Sequence, residues 1–363
     1  MHHRFGSVSF FLLVLSLLFR SSSSRIFQLK PTSIIPPGGV TAWKNFTRLI
    51  HAAKGRQVAG MAELKRYMHR FGYLSELGNS SMNFTDAFDQ ELQLAVYMYQ
   101  ENLGLPVTGK LDSTTISAII APRCGVRDVG DENTPSSFHK TRRFTYFSGT
   151  PRWNRKAPVT LSYSLSSTNT IDYLTPEEIK SALQKSFSKW SAVIPVTFTE
   201  SATYKTADIK IGFYEGSHGD GEPFDGVLGV LGHAFSPEGG RLHLDKSEIW
   251  SVDFDKVKSK MAIDLESVVT HEIGHILGLA HSSVPEAVMY PSLRPRMKKV
   301  ALRVDDVEGI QALYGSNPNF TLNSLLEAEN SAARSSGRKK TLSSLTETAL
   351  SAICLVFLFL GPP

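Results

Sequence analysis

The sequence predicts an α+β protein in which a helical domain precedes a domain of alternating strands and helices. Two patterns predict this organisation. Apolar residues recur at helical spacing up to about residue 120, whereas strand-like and helix-like segments alternate between residues 159 and 315. With 363 residues, of which 41% are hydrophobic, the chain is long enough to bury two cores.

The first domain is predicted from segments that place their apolar side chains on one helical face. In the clearest of them, Phe88, Leu92, Ala95, Val96 and Tyr99 follow one another at spacings of three, four or one residue. The predicted helices are residues 42–53, 61–71, 85–102 and, after a turn at 104–112, 113–120.

The second domain begins with residues 159–165, where apolar and polar side chains alternate as in a strand. A helix is predicted from Thr175 to Val193, because Pro176 suits its first position and two acids follow in its first turn. Further strands are predicted at 196–199 and 209–214, and further helices at 264–279 and 304–314.

The segment VVTHEIGHILGLAHSS, residues 268–283, predicts a metal site. His271 and His275 are four residues apart, so on a helix they lie about 40° apart and can share one Zn²⁺. Glu272 is placed to reach a water on that ion as a general base. His281 would point away from a continuing helix, so a turn at Gly278 is needed to make it the third ligand. The alternative, a buried helix with hydrogen-bonded histidines, is disfavoured because the glycine and third histidine extend the motif.

These residues resemble the metzincin metalloproteases, whose HExxHxxGxxH pattern precedes a methionine turn. Met289 lies where that turn would be. Ser282 directly follows the third histidine, and this residue makes the motif resemble that of the matrixin family. The resemblance covers about residues 40–315 and is greatest to compact, plant-type matrixins without a hemopexin domain. It implies a zinc endopeptidase with a mixed twisted sheet and three helices, preceded by a small three-helix peptidoglycan-binding-like prodomain.

Cys124 is one of two cysteines, and the other, Cys354, lies in the C-terminal tail. A lone thiol in a secreted protein needs an explanation, and a thiolate could occupy the open position on the zinc. The segment PRCGVRD resembles the matrixin cysteine switch, in which Arg123 and Asp128 would hold the loop by an ion pair. Arg127 replaces the proline usual in that family. The alternative is an inert buried cysteine.

The stretch from residue 216 to 248 is rich in Gly, Asp and His and low in apolar residues, so metals would have to hold it. Four residues at the spacing of the matrixin structural zinc could close a site with no open position: His218, Asp220, His233 and His243. A calcium shell could use the carboxylates of Asp225, Asp245 and Glu248 with the carbonyls of Gly226, Leu228 and Val230, and Asp208 could serve a further calcium. The alternative is a polar loop with unrelated histidines.

Both ends of the chain resemble targeting segments. Residues 1–24 are predicted to be a signal peptide, because the apolar run at 8–19 is too short to span a membrane. Residues 316–337 resemble a stalk, and residues 338–363 a GPI-anchor signal removed on maturation, with Ser335 or Ser336, or residues 330–332, as the attachment site. A C-terminal membrane helix is the alternative. Glycosylation is predicted at Asn45, Asn79, Asn83 and Asn319.

Residues 25–143 are then a propeptide and residues 144–315 the catalytic domain. The basic residues 140–143 could be cut by an activating convertase, or could be incidental. The resemblance implies that the new N-terminal ammonium, at residues 144–147, pairs with Asp305 or Asp306. Substrate would pair with a strand near residues 228–234 and place its first primed side chain against a wall at residues 289–291.

The predicted function is that of a monomeric, cell-surface-anchored, extracellular zinc endopeptidase acting on proteins or peptides. The net charge of +5 is spread along the chain without interleaved aromatics, so a nucleic-acid partner is not expected. Two alternatives remain. One is a catalytically silent binding module on the same fold, and the other is a wall-glycan binder acting through residues 42–120.

Overall fold

A computed structural model describes residues 43–74, 84–129, 144–323 and 325–326. The predicted signal peptide, the convertase site, Asn79, Asn83, Cys354 and the C-terminal anchor signal all lie outside these ranges. Among the helices of the described ranges, none is both long and apolar enough to cross a membrane.

Within residues 43–74 and 84–129, the N-terminal domain contains a short 3₁₀ helix and three α-helices, which confirms the predicted helical architecture. Residues 42–53 do not form the predicted α-helix, since only Lys44–Leu49 are helical and adopt the 3₁₀ form. The second α-helix begins later than predicted, because the Asp89 carboxylate caps it by accepting from the Leu92 amide at 2.9 Å. The α-helices are α1 (Met61–Arg70), α2 (Gln90–Asn102) and α3 (Ser113–Ile119).

The second domain is built on a six-stranded mixed sheet in the order β1-β5-β6-β4-β2-β3. Neighbouring strands are parallel except for the antiparallel pair β5 and β6. The strands are β1 (Arg123–Cys124), β2 (Val159–Leu165), β3 (Val196–Glu200), β4 (Ile209–Tyr214), β5 (Val230–Ala234) and β6 (Arg241–Asp245), with a separate pair β7 (Trp250–Ser251) and β8 (Ile263–Asp264). The strands β1, β6, β7 and β8 were not predicted from the sequence.

The three predicted helices of this domain are present: α4 (Pro176–Val193), α5 (Leu265–Ile276) and α6 (Val304–Tyr314). A capping box between Thr175 and Glu178 begins α4. Asp264 caps α5 by accepting from the Ser267 amide at 2.8 Å. The buried indole of Trp190 on α4 donates to the Thr270 carbonyl of α5 at 2.9 Å, which fixes the two helices together.

The segment that contains Cys124 lies in a slot at the edge of the sheet. On one side, the Arg123 amide donates to the Gly229 carbonyl at 3.0 Å, next to β5. On the other side, the Cys124 amide donates to the Pro291 carbonyl at 2.9 Å. Hydrogen bonds on both sides therefore place the cysteine directly over α5 and its histidines.

Side chains from the second domain also enter the core of the first. Phe224 and Val230 are buried among the apolar residues of the helical domain. The Arg70 guanidinium of α1 donates to the Pro223 carbonyl at 2.8 Å. The helical domain is thus packed against the loop before β5, and it covers the face on which the histidines lie.

Candidate metal centre and active site

Three imidazoles and one thiol meet above α5. The Nε2 atom of His275 lies 3.1 Å from that of His271 and 3.2 Å from that of His281. The Cys124 sulfur lies 3.4 Å from the same atom. All four donor atoms lie within 4.8 Å of one another. The structure therefore brings together the four residues that the sequence predicts to hold the catalytic zinc.

The outer ring nitrogens hold each imidazole in place. The Nδ1 atoms of His271 and His275 lie 2.7 Å from the backbone carbonyls of Val288 and Leu279, respectively. Donation from Nδ1 to a carbonyl leaves each Nε2 with a free lone pair directed at the common point. Burial, reinforced by the neighbouring histidines, holds the pKa of His271 and His275 well below the ordinary value. Both rings are therefore neutral, as metal ligands must be.

This donor set fits zinc. Three neutral imidazoles with one position left for a thiolate or a water form the ligand set of catalytic zinc sites. Each of the three rings is already held in place through its Nδ1 atom. The Nε2 lone pairs are therefore not needed to orient the rings, and their convergence in a buried place is explained by a shared metal ion.

Two glycines permit this geometry. Gly278 ends α5 with φ of 108°, and a Cβ there would lie 2.2 Å from the Pro151 carbonyl oxygen. This is the predicted turn that returns His281 to the site. At Gly274, between the two helical ligands, a Cβ would lie 2.2 Å from the Met289 sulfur. Met289 therefore packs directly beneath the histidines, in the place predicted for the methionine turn.

Asp306 has a role that the sequence reading missed. Its carboxylate accepts hydrogen bonds from the backbone amides of Val288, Met289 and Arg303 at 2.9, 3.0 and 2.8 Å. It thereby fixes the turn whose Val288 carbonyl orients His271. The neighbouring Asp305 instead accepts from the Ser282 hydroxyl at 2.6 Å. The sequence feature that could have indicated this role is the pair of acids, Asp305 and Asp306, in the first turn of the last helix.

Glu272 is fully buried beside the ligands. Within the described residues, neither of its carboxylate oxygens has a hydrogen-bond partner. Burial raises its pKa to about 8. A buried, unpartnered carboxyl next to three metal-binding imidazoles is suited to exchange protons with a water or a substrate placed there.

The cysteine segment is held by an ion pair that also reaches the metal site. Arg123 and Asp128 are fully buried and 2.6 Å apart. The same oxygen of Asp128 lies 2.6 Å from Nδ1 of His281, and its other oxygen accepts from the Tyr73 hydroxyl at 2.7 Å. Although burial opposes it, the Arg123 charge together with His281 holds the pKa of Asp128 well below its usual range. The third histidine is thus oriented by the N-terminal domain.

A second group of ligand-type side chains surrounds Asp220. One oxygen of this carboxylate lies 2.9 Å from His218, 2.7 Å from His233 and 2.8 Å from His243. Burial lowers the pKa of His233 and of His243 to about 4, so both rings are neutral. These are the four residues predicted for the structural zinc, and four protein ligands are the number that a closed structural site uses.

The acids predicted to bind calcium approach the loop before β5. Glu248 accepts from the Leu228 amide at 2.6 Å, Asp225 from the Val230 amide at 2.7 Å and Asp245 from the Gly226 amide at 3.3 Å. The second Glu248 oxygen is buried without a partner in the described chain. Burial, with the charges of Asp245 and Asp225 added, raises the pKa of Glu248 well above its usual value. A cation among these carboxylates would relieve that repulsion.

Asp208 has different partners from those predicted. Its carboxylate lies 2.6 Å from the Arg155 guanidinium and accepts from both the amide and the hydroxyl of Ser162 at 2.8 Å. These bonds engage both oxygens, so the contacts do not favour a calcium ligand at this position.

Fold and site together define the class of the protein, which is a zinc metalloendopeptidase. The matrixin family model matches residues 152–315, and a peptidoglycan binding domain model matches residues 57–119. The chain belongs to the matrixin family. It is 54% identical over 303 residues to Metalloendoproteinase 1-MMP of Arabidopsis thaliana, covering 83% of this chain and 81% of the relative. It is also 52% identical over 297 residues to Metalloendoproteinase 4-MMP of the same plant, covering 82% and 84%. Human matrilysin is 35% identical over 274 residues, covering 73% and 91%.

Proposed function

We propose that the chain is a latent extracellular endopeptidase in which His271, His275 and His281 hold the catalytic zinc and Cys124 closes its fourth position. The observation that carries this proposal is the convergence of three oriented Nε2 atoms and one sulfur beside the unpartnered carboxyl of Glu272. Arg123 and Asp128 maintain latency by fixing the cysteine segment to His281.

Catalysis follows from the position of Glu272 once the cysteine has left. A zinc ion held by His271, His275 and His281 would supply the Lewis acid that the scissile carbonyl and the attacking water need. The Glu272 carboxylate takes a proton from the attacking water while the water oxygen adds to the carbonyl carbon of the substrate. The same carboxyl then delivers the proton to the leaving nitrogen as the peptide bond breaks. Its raised pKa suits a group that must both accept and donate.

Substrates are proteins or peptides bound in an extended form. Removal of the propeptide frees the edge of β5, where β1 is paired in the latent chain. A substrate strand pairing there would lie across the histidines, with its side chains reaching alternate faces.

Two further metal sites stabilise the loop before β5. His218, Asp220, His233 and His243 would hold a structural zinc, since their donor atoms lie within 4.8 Å of one another. Asp225, Asp245 and Glu248 would hold a calcium ion, with the carbonyls of Gly226, Leu228 and Val230 completing the shell.

Secretion, activation and anchoring complete the proposal. A signal peptide at 1–24, cleavage after residues 140–143 and a GPI anchor at Ser335 or Ser336 would give a monomeric enzyme on the outer face of the plasma membrane. Asn45 and Asn319 are exposed, as glycosylation requires. Phe144 lies against Gly309 of α6, which supports a new N-terminus that pairs with Asp305 or Asp306 of the same helix. Asp306 already accepts three backbone amides, which favours Asp305 as the partner of the ammonium.

The test is cleavage of a quenched generic peptide by the purified latent protein, before and after a mercurial thiol reagent. We expect the reagent to start cleavage in the native protein and Cys124→Ser to cleave without it. Glu272→Ala should remain at least about 100-fold slower in both states, because it lacks the general base.

Zinc content measured on each protein is the control. A Glu272→Ala variant that keeps its zinc but cleaves as fast as the native protein would refute the role of Glu272. If no form cleaves although zinc is bound, the endopeptidase proposal fails. Retention of wall glycan by residues 42–120 would then support the binding alternative.

A further inference from the structure

A cavity opens beside His271 and Glu272, and Cys124 also lines it in the latent chain. Its walls combine Leu231 of β5, Val268 of α5 and the segment that follows the methionine turn, with Tyr290, Pro291 and Leu293. Because it adjoins the general base, it is the place for the first substrate side chain after the scissile bond. This inference therefore rests on the proposed function.

Of the residues that the structure describes, Lys299 is the one lysine or arginine that lines this cavity, whose walls are mainly apolar apart from Ser267, His271 and Glu272. Its backbone amide donates to the Ser267 hydroxyl of α5 at 2.8 Å, which fixes the start of its side chain. Its ammonium lies 3.4 Å from the Tyr290 carbonyl and 3.3 Å from the Ser292 carbonyl, and 5.1 Å from the centre of the Tyr290 ring. These are long hydrogen bonds to neutral acceptors.

No carboxylate of the described chain forms an ion pair with this ammonium, although other lysines nearby, such as Lys298, have such partners. Burial lowers the pKa of Lys299 to about 8, and the charges of Asp306 and Glu286 oppose the fall. An ammonium with only these long contacts to neutral carbonyls gains from a charged acceptor that a ligand brings.

We propose that Lys299 selects the first primed side chain by charge, favouring glutamate and rejecting lysine and arginine. The methylenes of a glutamate would contact the Leu231 and Val268 walls, while its carboxylate would pair with the ammonium. A cationic side chain would bring a second positive charge into the same cavity. A hydrogen bond to a charged group corresponds to about 10- to 100-fold in selectivity.

The test uses three quenched peptides that differ only at this side chain, as leucine, glutamate or lysine. They are cleaved by the native activated protein, by Lys299→Met, which keeps the unbranched stem without the charge, and by Lys299→Arg, which keeps the charge. Lys258→Met is the matched control, since that side chain is 75% exposed and does not line the cavity. The readout is kcat/KM for glutamate divided by that for lysine, each normalised to leucine.

We expect this ratio to fall at least about 10-fold in Lys299→Met and to persist in Lys299→Arg and Lys258→Met. A ratio that is unchanged in Lys299→Met overturns the proposal, including the case in which all three peptides lose rate equally, as a structural role would predict. If Lys299→Met does not fold, Lys299→Gln takes its place. Failure of the native protein to cleave even the leucine peptide would instead refute the proposed endopeptidase.

Discussion

At the scale of single residues, Asp306 shows how a buried acid supports the site without touching it. It joins the start of α6 to the methionine turn through three backbone amides. Burial raises its pKa from 3.8 to about 6, even though the accepted hydrogen bonds lower it. The folded chain therefore binds this proton more tightly than the unfolded chain does. The cost of the buried charge is present above pH 6 and fades as the pH falls towards 4.

Replacing Asp306 with Asn should have two effects on the free energy of unfolding. At pH 7 the amide offers one acceptor in place of two, and the lost hydrogen bonds cost about 1–3 kcal/mol; this loss offsets the relief of the buried charge, so the net change in stability should be small. Between pH 4 and 6 the native protein should lose up to about 3 kcal/mol as the pH rises, a component absent from the variant. Denaturant unfolding at several pH values measures both.

Asp305→Asn is the matched control, because this neighbour accepts from the Ser282 hydroxyl and does not hold the methionine turn. Its unfolding curve should follow the pH dependence of the native protein. If Asp306→Asn kept the native pH dependence, the raised pKa would be wrong.

At the scale of elements, α5 carries two of the proposed zinc ligands, so the stability of its first turn matters to the proposed metal site. Asp264 accepts from both the amide and the hydroxyl of Ser267, at 2.8 and 2.6 Å. We expect Asp264→Ala to cost about 1 kcal/mol, and about 2–4 °C in Tm, as the loss of a helix cap usually does. It should also weaken zinc retention, because fraying at this end disturbs the helix below His271.

Thr175→Ala is the comparison, since Thr175 caps α4, which carries no metal ligand. Calorimetry and competition with a zinc chelator are measured on both variants. Similar losses in Tm in the two variants, with weaker zinc binding only in Asp264→Ala, would support a link between the cap of α5 and zinc retention. Equal zinc affinity in the two would argue against it.

The elements also show what the sequence could predict. The order and bounds of β2, β4, α4 and α6 follow from local periodicity and caps, and the structure confirms them. The strand β6 was missed because His243 and Asp245 were interpreted as loop ligands. The alternation of Leu242 and Leu244, both fully buried, was the signal for a strand.

The candidate site likewise has one part that the sequence predicts and another part that it does not. The spacing of His271, His275 and Gly278 is a property of one helix and its end, so sequence alone predicted it. The carbonyls that orient the rings, the amides bound by Asp306 and the position of Lys299 in the cavity depend on contacts between distant segments. No periodicity reports such contacts. The two residues of β1 are likewise too few for a pattern, and their pairing is set by the domain interface.

At the scale of the whole molecule, the loop before β5 connects the proposed ion sites with the core of the helical domain. Phe224 illustrates the connection, because it stacks on His218 and His233 at 5.0 and 4.9 Å and is buried in the core of the helical domain. Metal removal should therefore loosen both the loop and the attached domain.

Treatment of the latent protein with a chelator should lower its Tm by about 10 °C, since ligands bound well above their Kd contribute about 4 kcal/mol. Zinc and calcium should each restore part of the loss. Glu248→Gln should abolish the response to calcium and retain that to zinc. An unchanged Tm, with metal loss verified by elemental analysis, would contradict a structural role for the ions.

The pairing of β1 with β5 sets a limit on the working life of the enzyme. In the latent chain the propeptide occupies the outer edge of the sheet and meets the carbonyls of Gly229 and Gly232. After its removal, the same edge is open to any extended chain, including a loop or strand of a second copy. On the proposed activation scheme, the opening that admits substrates would also expose this edge to self-digestion and self-association, which the pairing of β1 prevents.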